Sequence, residues 1–150
     1  MCIRDRNAKV SVEGKTTGEI EQGFLVLLGI APEDTQEIME KMVDKLLRLR
    51  IFSDENDKIN LSLSDVGGSL LLVSQFTLYA DCRKGNRPSF VHAAPPAQAE
   101  ALYESCKAYC RERVPVVESG IFGADMQVSL VNEGPCTIVI DTDEWHKGEK

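Results

Sequence analysis

The sequence has few of the features that identify a function on their own. Aromatic residues make up 6% of its 150 residues, and there are only two histidines. No apolar run approaches the roughly 18 residues that a membrane span requires, and the longest, residues 24–30, has the length of a buried strand. The N-terminus also lacks the apolar segment of a secretory signal. We therefore expect a cytoplasmic protein without a membrane partner.

The cysteines form a pattern that excludes most of their specialised uses. The five cysteines are an odd number, and no two of them form a C-x-x-C pair. Cys106 and Cys110 stand four residues apart on the apolar face of a predicted helix, and no nearby Cys or His completes a tetrahedral metal site. We interpret both as reduced core thiols, and we expect neither a metal nor another cofactor.

Positive charge is scarce. The net charge is −7 and the pI is near 4.9, which argues against extensive nucleic-acid binding but leaves room for an enzyme that grips a short RNA end. We expect no DNA partner. The local exception is residues 83–87, which carry three positive charges in five residues. Composition alone favours a solvated loop there over a phosphate contact.

The familiar catalytic motifs are absent as well. No G-x-S-x-G, H-E-x-x-H, P-loop or G-x-G-x-x-G pattern occurs. His146 lies in the polar tail, and the spacing gives no support for a base–nucleophile pair between His92 and Ser74. No carboxylate occupies an obviously apolar setting that would tune it as a general acid or base. The chemistry must therefore be sought in another pattern.

Hydrophobic periodicity predicts one strand-rich domain with two main helices. The first helix begins at Asp34, a plausible N-cap with Glu37 three residues later, and carries an apolar stripe to residue 50. The second begins at residues 95–96 and ends before Pro115. The pattern fits an α/β or α+β fold for residues 1–150, with an atypical start (1–7) and a polar, frayed tail (142–150). Strands are predicted at residues 9–13, 24–30, 70–76, 127–131 and 137–140, with two short ones within 51–63.

Polar residues stand where several predicted strands end. Ser74 and Gln75 close one strand, Asn132 closes another, and Thr137 opens the last. Backbone hydrogen bonds can satisfy any one of them, and each taken singly has that simpler explanation. Their position beside the break at residues 134–135 favours a ligand site, because binding groups gather where strands end.

Two long stretches resemble the D-aminoacyl-tRNA deacylase family. The first, residues 74–90, reads SQFTLYADCRKGNRPSF, and the second, residues 120–137, runs from GIFGADM to VNEGPCT. They contain the family's two signatures, S-Q-x-x-L and N-x-G-P-x-T, in order and at a family-like separation. Supporting similarity extends the resemblance to residues 8–141.

The resemblance implies an enzyme that hydrolyses the ester between a D-amino acid and the terminal adenosine of tRNA. It implies a homodimer whose sites form at the subunit interface, and a single-domain β/β/α layered fold that agrees with the strand-rich prediction. The expected partners are the aminoacylated acceptor end of tRNA and a second copy of the chain.

By this resemblance Ser74, Gln75, Phe76 and Thr137 are the candidate catalytic residues. A threonine hydroxyl needs an activating partner to act as a nucleophile, and the sequence offers none for Thr137. An aminoacyl ester already has a 2′-hydroxyl beside it, so positioning that hydroxyl and a water can supply much of the catalysis. We therefore favour substrate-assisted chemistry, with the Gln75 side chain and backbone N–H groups near Phe76 orienting the ester and Thr137 positioning the substrate.

The Gly134-Pro135 pair on its own marks a turn. The resemblance implies a cis bond there, inserted into the partner's pocket, where the two carbonyls would hold the substrate's amino group and block an L side chain. D-residues of many kinds, and glycine, should then be accepted. The resemblance assigns further substrate-binding and chiral-selection residues: Asn132, Phe122, Gly123, Met126 and, supporting the Gly-Pro loop, Arg4.

The start of the chain departs from the family pattern. The family opens with an apolar strand ending in Gln-Arg-Val, whereas residues 1–7 here read MCIRDRN. Counting back without gaps puts Arg4 at the family's arginine, but Asp5 then stands where an apolar strand residue belongs. We expect this to weaken the first strand.

Two other functions fit parts of the pattern. A non-catalytic module that binds a tRNA end would share the fold, but loss of Ser74-Gln75 or the Gly-Pro pair would have favoured it, and both are present. An editing domain for another ester, such as an L-aminoacyl-tRNA, conflicts with the intact Gly-Pro pair.

Overall fold

The computed structural model describes residues 1–148, with side chains as far as residue 145. That part of the chain folds as a mixed α/β structure in which strands outnumber the two α-helices, as predicted. The strands are β1 Cys2–Val12, β2 Lys15–Ile20, β3 Gly23–Leu28, β4 Phe52–Ser53, β5 Ile59–Leu61, β6 Ser69–Ser74, β7 Val117–Ser119 and β8 Met126–Ile138; the helices are α1 Gln36–Arg48 and α2 Pro96–Arg111.

One mixed sheet organises the fold, in the order β2-β1-β3-β6-β7, with β8 also paired to β1. The long strand β1 pairs with β2 through its second half and with β3 through its first half, while β8 runs along both halves. The pairs β3–β6 and β6–β7 are parallel. Parallel neighbours need a crossover connection, which α1 and α2 provide.

The core consists of two apolar clusters, one on each face of β3 and β6. Alternate residues of a strand face opposite ways, so Phe24 and Leu70 pack towards the two helices, whereas Leu25 and Leu71 pack against β1 and β2. The strand layers approach closely, because a Cβ on Gly18 of β2 would lie 2.9 Å from the Ser119 carbonyl of β7. This arrangement confirms the β/β/α layered fold.

The N-cap of helix α1 lies one residue later than predicted. Thr35 is the N-cap, and its hydroxyl accepts a 3.3 Å hydrogen bond from the Ile38 N–H. The prediction of Asp34 as N-cap is wrong because its carboxylate already accepts a 2.8 Å bond from the Ala31 N–H, upstream of the helix.

Helix α2 begins at the predicted proline pair and buries one face against β6. Tyr103 is fully buried, and its hydroxyl donates a 2.9 Å hydrogen bond to the Leu72 carbonyl. Cys106 and Cys110 are buried free thiols, as predicted. Tyr103, which the sequence prediction did not single out, therefore fastens α2 to the sheet.

Three predictions about local structure are corrected. The two strands expected on either side of the Gly-Pro pair are one strand, β8, because both halves pair with β1. Strand β6 ends at Ser74, since residues 76–79 form a 3₁₀ helix. The tail also forms a 3₁₀ helix, Thr142–Gly148, rather than fraying, with residues 149–150 outside the described part. Strand β1 runs from Cys2 through Asp5, and its ladder to β8 shifts register on both sides of Asp5.

Within the described residues, none of the helices has the length and apolar character needed to cross a lipid bilayer.

Candidate functional site

The Gly-Pro segment forms a bulge on β8. A step of two residues along β1, from Ile3 to Asp5, faces a step of five along β8, from Asn132 to Thr137. Residues 133–136 therefore leave the ladder and project from the sheet edge. A bulge of this kind ends local pairing and re-aims the chain.

The Asn132 side chain closes this bulge with two hydrogen bonds. Its side-chain oxygen accepts a 2.7 Å hydrogen bond from the Cys136 N–H, and its side-chain amide donates a 2.8 Å bond to the Thr137 hydroxyl. The two predicted site residues at the ends of the bulge are thus in direct contact.

Two arginines of β1 form hydrogen bonds with Glu133, the first residue of the bulge. Arg4 is 8% exposed; its Nε and Nη2 donate to the Glu133 carbonyl at 2.9 and 2.6 Å, and its Nη1 donates to the Ile51 carbonyl at 2.7 Å. Arg6 makes a bidentate pair with the Glu133 carboxylate, both contacts at 2.8 Å, which lowers the pKa of Glu133. Sequence reasoning selected Arg4 but missed Arg6, although two arginines spaced by two share one face of a strand.

Gly134 and Pro135 are exposed at the tip, and the bond between them is cis. Gly134 has φ of +126°, and a Cβ there would lie 2.5 Å from the Arg4 guanidinium. The tip therefore requires glycine, both for its backbone conformation and for the room that Arg4 occupies.

The second group of predicted residues lies at the end of β6. Ser74 pairs with Leu28, and the Gln75 N–H donates a 2.8 Å hydrogen bond to the Leu28 carbonyl. The Gln75 side-chain amide donates to the hydroxyl of Thr77, a residue absent from the predicted set. Phe76 is 57% exposed, with its ring edge-on to Phe90 at 5.1 Å between centroids.

The third group is dispersed. Phe122 packs against Tyr103 at 6.0 Å between ring centroids, and Gly123 is exposed with φ of +75°. Met126 pairs with Val12 while Thr137 pairs with Ile3, nine residues back along β1. At about 3.3 Å per residue, Met126 and Thr137 of one chain are about 30 Å apart, so they do not meet.

Neither of two cavities near the ends of β3 and β6 contains a predicted site residue. One, of about 160 Å³, lies mainly between β3, α1 and residues 139–142. The other, of about 430 Å³, lies among residues 31–33, 78–80, 91–92 and Asp143. Five of the predicted residues are exposed on the surface of the chain: Phe76, Gly123, Gly134, Pro135 and Thr137.

Two further titratable residues, His92 and Asp5, bear on the sequence predictions. His92 faces Asp81 at 3.9 Å, and within the described residues it makes no hydrogen bond to Ser74. The expectation that no carboxylate occupies an apolar setting is wrong for Asp5, which is 1% exposed. Among residues 1–145, no group of three or more His, Cys, Asp or Glu side chains is arranged to hold a metal ion.

Comparison with known proteins defines the class. The family model described as D-Tyr-tRNA(Tyr) deacylase matches residues 2–141. The D-aminoacyl-tRNA deacylase of Thermosipho africanus (strain TCF52B) is 56% identical over 139 residues, covering 93% of both chains. That of Herpetosiphon aurantiacus is 53% identical over 145 residues, covering 97% of this chain and 95% of the relative.

Two solved structures are similar to this chain. A c-Myc DNA unwinding element binding protein superposes with a TM-score of 0.86 at 44% identity, covering 91% of this chain and 93% of the other. A probable eukaryotic D-amino acid tRNA deacylase, at 19% identity and a TM-score of 0.73, covers 86% and 90% respectively and shows the shared fold. The family model and these relatives thus identify a deacylase, a hydrolase of ester bonds. The chain belongs to the D-aminoacyl-tRNA deacylase family.

Proposed function

We propose that this chain edits aminoacyl-tRNA by hydrolysing the ester of D-aminoacyl-tRNA, which releases the D-amino acid and the tRNA. The observation that carries the proposal is the exposed Gly134-Pro135 tip, which Arg4 and Asn132 fasten in a chain that belongs to this family. Such a tip presents backbone groups at a fixed place on the surface.

Catalysis in this proposal rests on positioning. The Thr137 hydroxyl accepts a hydrogen bond from the Asn132 amide, which does not remove its proton, so Thr137 is held but not activated as a nucleophile. The backbone N–H groups of Phe76 and Thr77 have no hydrogen-bond partner within residues 1–148. Free N–H groups at the start of a 3₁₀ helix are suited to stabilise the negative charge that develops on the ester oxygen. The Gln75 amide lies beside them and orients the ester.

Selectivity in this proposal comes from a second subunit. Gly134 and Pro135 point away from their own chain, and no residue predicted for the site lines either cavity of that chain. We infer that the tip of one subunit enters the Gln75–Phe76 region of its partner. Main-chain atoms then exclude an L side chain, whatever its identity, whereas glycine has no side chain to exclude.

Deacylation of matched D-, L- and glycyl-tRNAs by the purified protein tests this function. We expect turnover of several D-aminoacyl-tRNAs and of glycyl-tRNA, including glycine mischarged on tRNA-Ala, with L-aminoacyl-tRNA intact. Equal rates on the D and L forms would refute chiral selection. Binding of the tRNA end without turnover of any ester would instead support a non-catalytic binding module, and intact glycyl-tRNA would refute the main-chain exclusion of side chains.

A further inference from the structure

We propose that residues 82–88, which we call the basic loop, bind the sugar-phosphate backbone of the substrate's single-stranded acceptor end, with Phe76 and Phe90 as the adjoining base-stacking surface. The inference rests on the function proposed above and names the surface that delivers the ester to the site. It replaces the interpretation of residues 83–87 as a solvated loop, which composition alone favours.

The charge of the loop differs from that of the rest of the molecule. The chain has a net charge of −7, yet the loop carries three cations and no anion. Arg83 pairs with Asp81 at 2.6 Å. Lys84 and Arg87 are exposed and, within the described residues, form no ion pair. Two unpaired cations close together on an acidic protein are suited to phosphate, because polyanion binding depends on such contacts.

The loop is fastened to the proposed catalytic residues. Asp81 and Ser89 close it with two backbone hydrogen bonds of 2.7 and 3.0 Å. Phe90 follows Ser89 directly, and its ring packs on that of Phe76, the residue after Gln75. A phosphate held by the loop is thereby placed at a fixed distance from Gln75, which positions the ester at the 3′ end of the same strand.

The two phenylalanines suit the bases of that strand. Phe76 is 57% exposed and Phe90 is 38% exposed, so each offers ring surface to solvent. Base–aromatic stacking is worth about 1–3 kcal/mol per base and tolerates any sequence. A basic groove that follows the backbone, combined with aromatic side chains for the bases, is the usual construction of a single-strand binding surface.

Carboxylates near Tyr79 disfavour a polyanion there. Glu33 and Asp143 line one cavity together with Tyr79, and burial, followed by the charges of Asp34, Asp141, Asp143 and Glu33, raises the pKa of Tyr79 to about 12. We therefore place the backbone of the strand on the basic loop, which carries three cations and no anion.

The test compares the double variant Lys84→Gln/Arg87→Gln with Lys45→Gln/Lys58→Gln, an equal change of charge at exposed lysines on α1 and in the β4–β5 turn. Steady-state deacylation of D-aminoacyl-tRNA is measured from low to physiological salt. We expect KM to rise roughly tenfold at low salt for the loop variant with kcat unchanged, and the salt slope of log(kcat/KM) to shrink by about 1.4, the value for two single-strand phosphate contacts. The control variant should match the unmodified protein.

A second substrate distinguishes a loss of phosphate contacts from a disturbed site. D-aminoacyl-adenosine has the same ester without the phosphates, so the loop variant should cleave it at the unmodified rate; an equal loss there would mean a disturbed site and overturn the inference. Unchanged KM and salt slope on tRNA would overturn it while the proposed function stands, whereas an unmodified protein inactive on D-aminoacyl-tRNA would refute that function instead. Stronger competition by single-stranded DNA than by RNA of the same sequence would overturn the choice of RNA.

Discussion

Arg4 and Asp5 are neighbours on β1, but only one of these two side chains has hydrogen-bond partners. Arg4 and Asp5 are both buried, at 8% and 1% exposure. Arg4 donates to the Glu133 carbonyl of the Gly-Pro bulge and to the Ile51 carbonyl. By strand alternation Asp5 lies on the opposite face, that of Ile3, which belongs to the second apolar cluster. Neither of the Asp5 side-chain oxygens has a hydrogen-bond partner. One buried charge is satisfied and the other is not.

The isolation of Asp5 predicts a pH-dependent stability. Burial raises the pKa of Asp5 from 3.8 to about 7; the Leu25 backbone offsets part of this without a hydrogen bond of acceptable geometry. The folded state therefore binds the proton more tightly than the unfolded state. The free energy of unfolding should fall as pH rises from about 4 to about 7, by up to about 4 kcal/mol, and then remain at the lower value.

Asp5→Val tests this by chemical denaturation at a series of pH values. We expect the variant to be more stable than the unmodified protein at pH 8, because an apolar side chain suits this face, and the advantage to disappear towards pH 4. Glu19→Val, at an exposed strand position, should show no such trend. An Asp5→Val advantage that does not change with pH would contradict a raised pKa of Asp5 in the folded state.

At the scale of elements, the site depends on an irregularity of β8 rather than on a loop between two strands. Pairing with β1 resumes at Thr137, so both ends of the bulge are fixed to the same strand. Four residues that are held at both ends lose little conformational entropy when they bind, since the fold has already ordered them. This supports a tip that acts through its main chain.

Asn132 variants should separate closure of the bulge from orientation of Thr137. Asn132→Ala removes both contacts and leaves the Cys136 N–H without its acceptor, which should cost about 1–2 kcal/mol of stability and weaken rejection of L-aminoacyl-tRNA. Asn132→Asp keeps an acceptor for Cys136 but loses the donor to Thr137. It should keep its melting temperature and its selectivity while its rate on D-aminoacyl-tRNA falls. Identical selectivity in the two variants would show that this side chain does not set the tip.

The elements were largely predictable because their signals are local. The stripe of α1, the proline pair before α2 and the apolar runs of β3 and β6 each lie within one segment. The errors occurred where a distant partner decides. Asp34 loses the cap position to an upstream N–H, and the Gly-Pro pair does not end a strand because β1 continues alongside it.

The residues proposed for the site come mainly from the family motifs, and their roles stay predictions. Ser74, Gln75, Asn132 and the Gly-Pro pair lie within those motifs, and the structure brings Asn132 and Thr137 into contact. The contacts of Arg6 and Thr77 depend on partners that the sequence pattern does not reveal. The burial of Asp5 depends on the packing of two strand layers. Periodicity indicates which face a residue occupies, but not what covers that face.

A single chain does not bring all the residues proposed for the site together. Met126 and Thr137 lie at opposite ends of β8, and the Gly-Pro tip projects outward. The proposed two-fold dimer would resolve this, because a self-complementary interface would bring the tip of each subunit to the Gln75 region of the other.

Mixing two variants tests whether the tip acts across subunits. Gln75→Ala should be inactive but retain its tip, and Pro135→Ala should cleave L- as well as D-aminoacyl-tRNA. After co-expression in equal amounts, half of the Pro135→Ala subunits are expected to pair with a Gln75→Ala partner that supplies an intact tip. L-directed activity per Pro135→Ala subunit should then fall to about half, while D-directed activity per subunit is unchanged.

The D-directed and L-directed activities per Pro135→Ala subunit also decide between the remaining explanations. If the tip serves its own subunit, a Gln75→Ala partner changes nothing, and L-directed activity per Pro135→Ala subunit stays constant. If mixing only disturbs the dimer, the D- and L-directed activities fall together. A loss confined to the L substrate arises only when an intact tip from one chain enters the pocket of the other. That outcome would make chiral selection a property of the dimer, with Arg4 and Asn132 of one subunit setting the specificity of its partner.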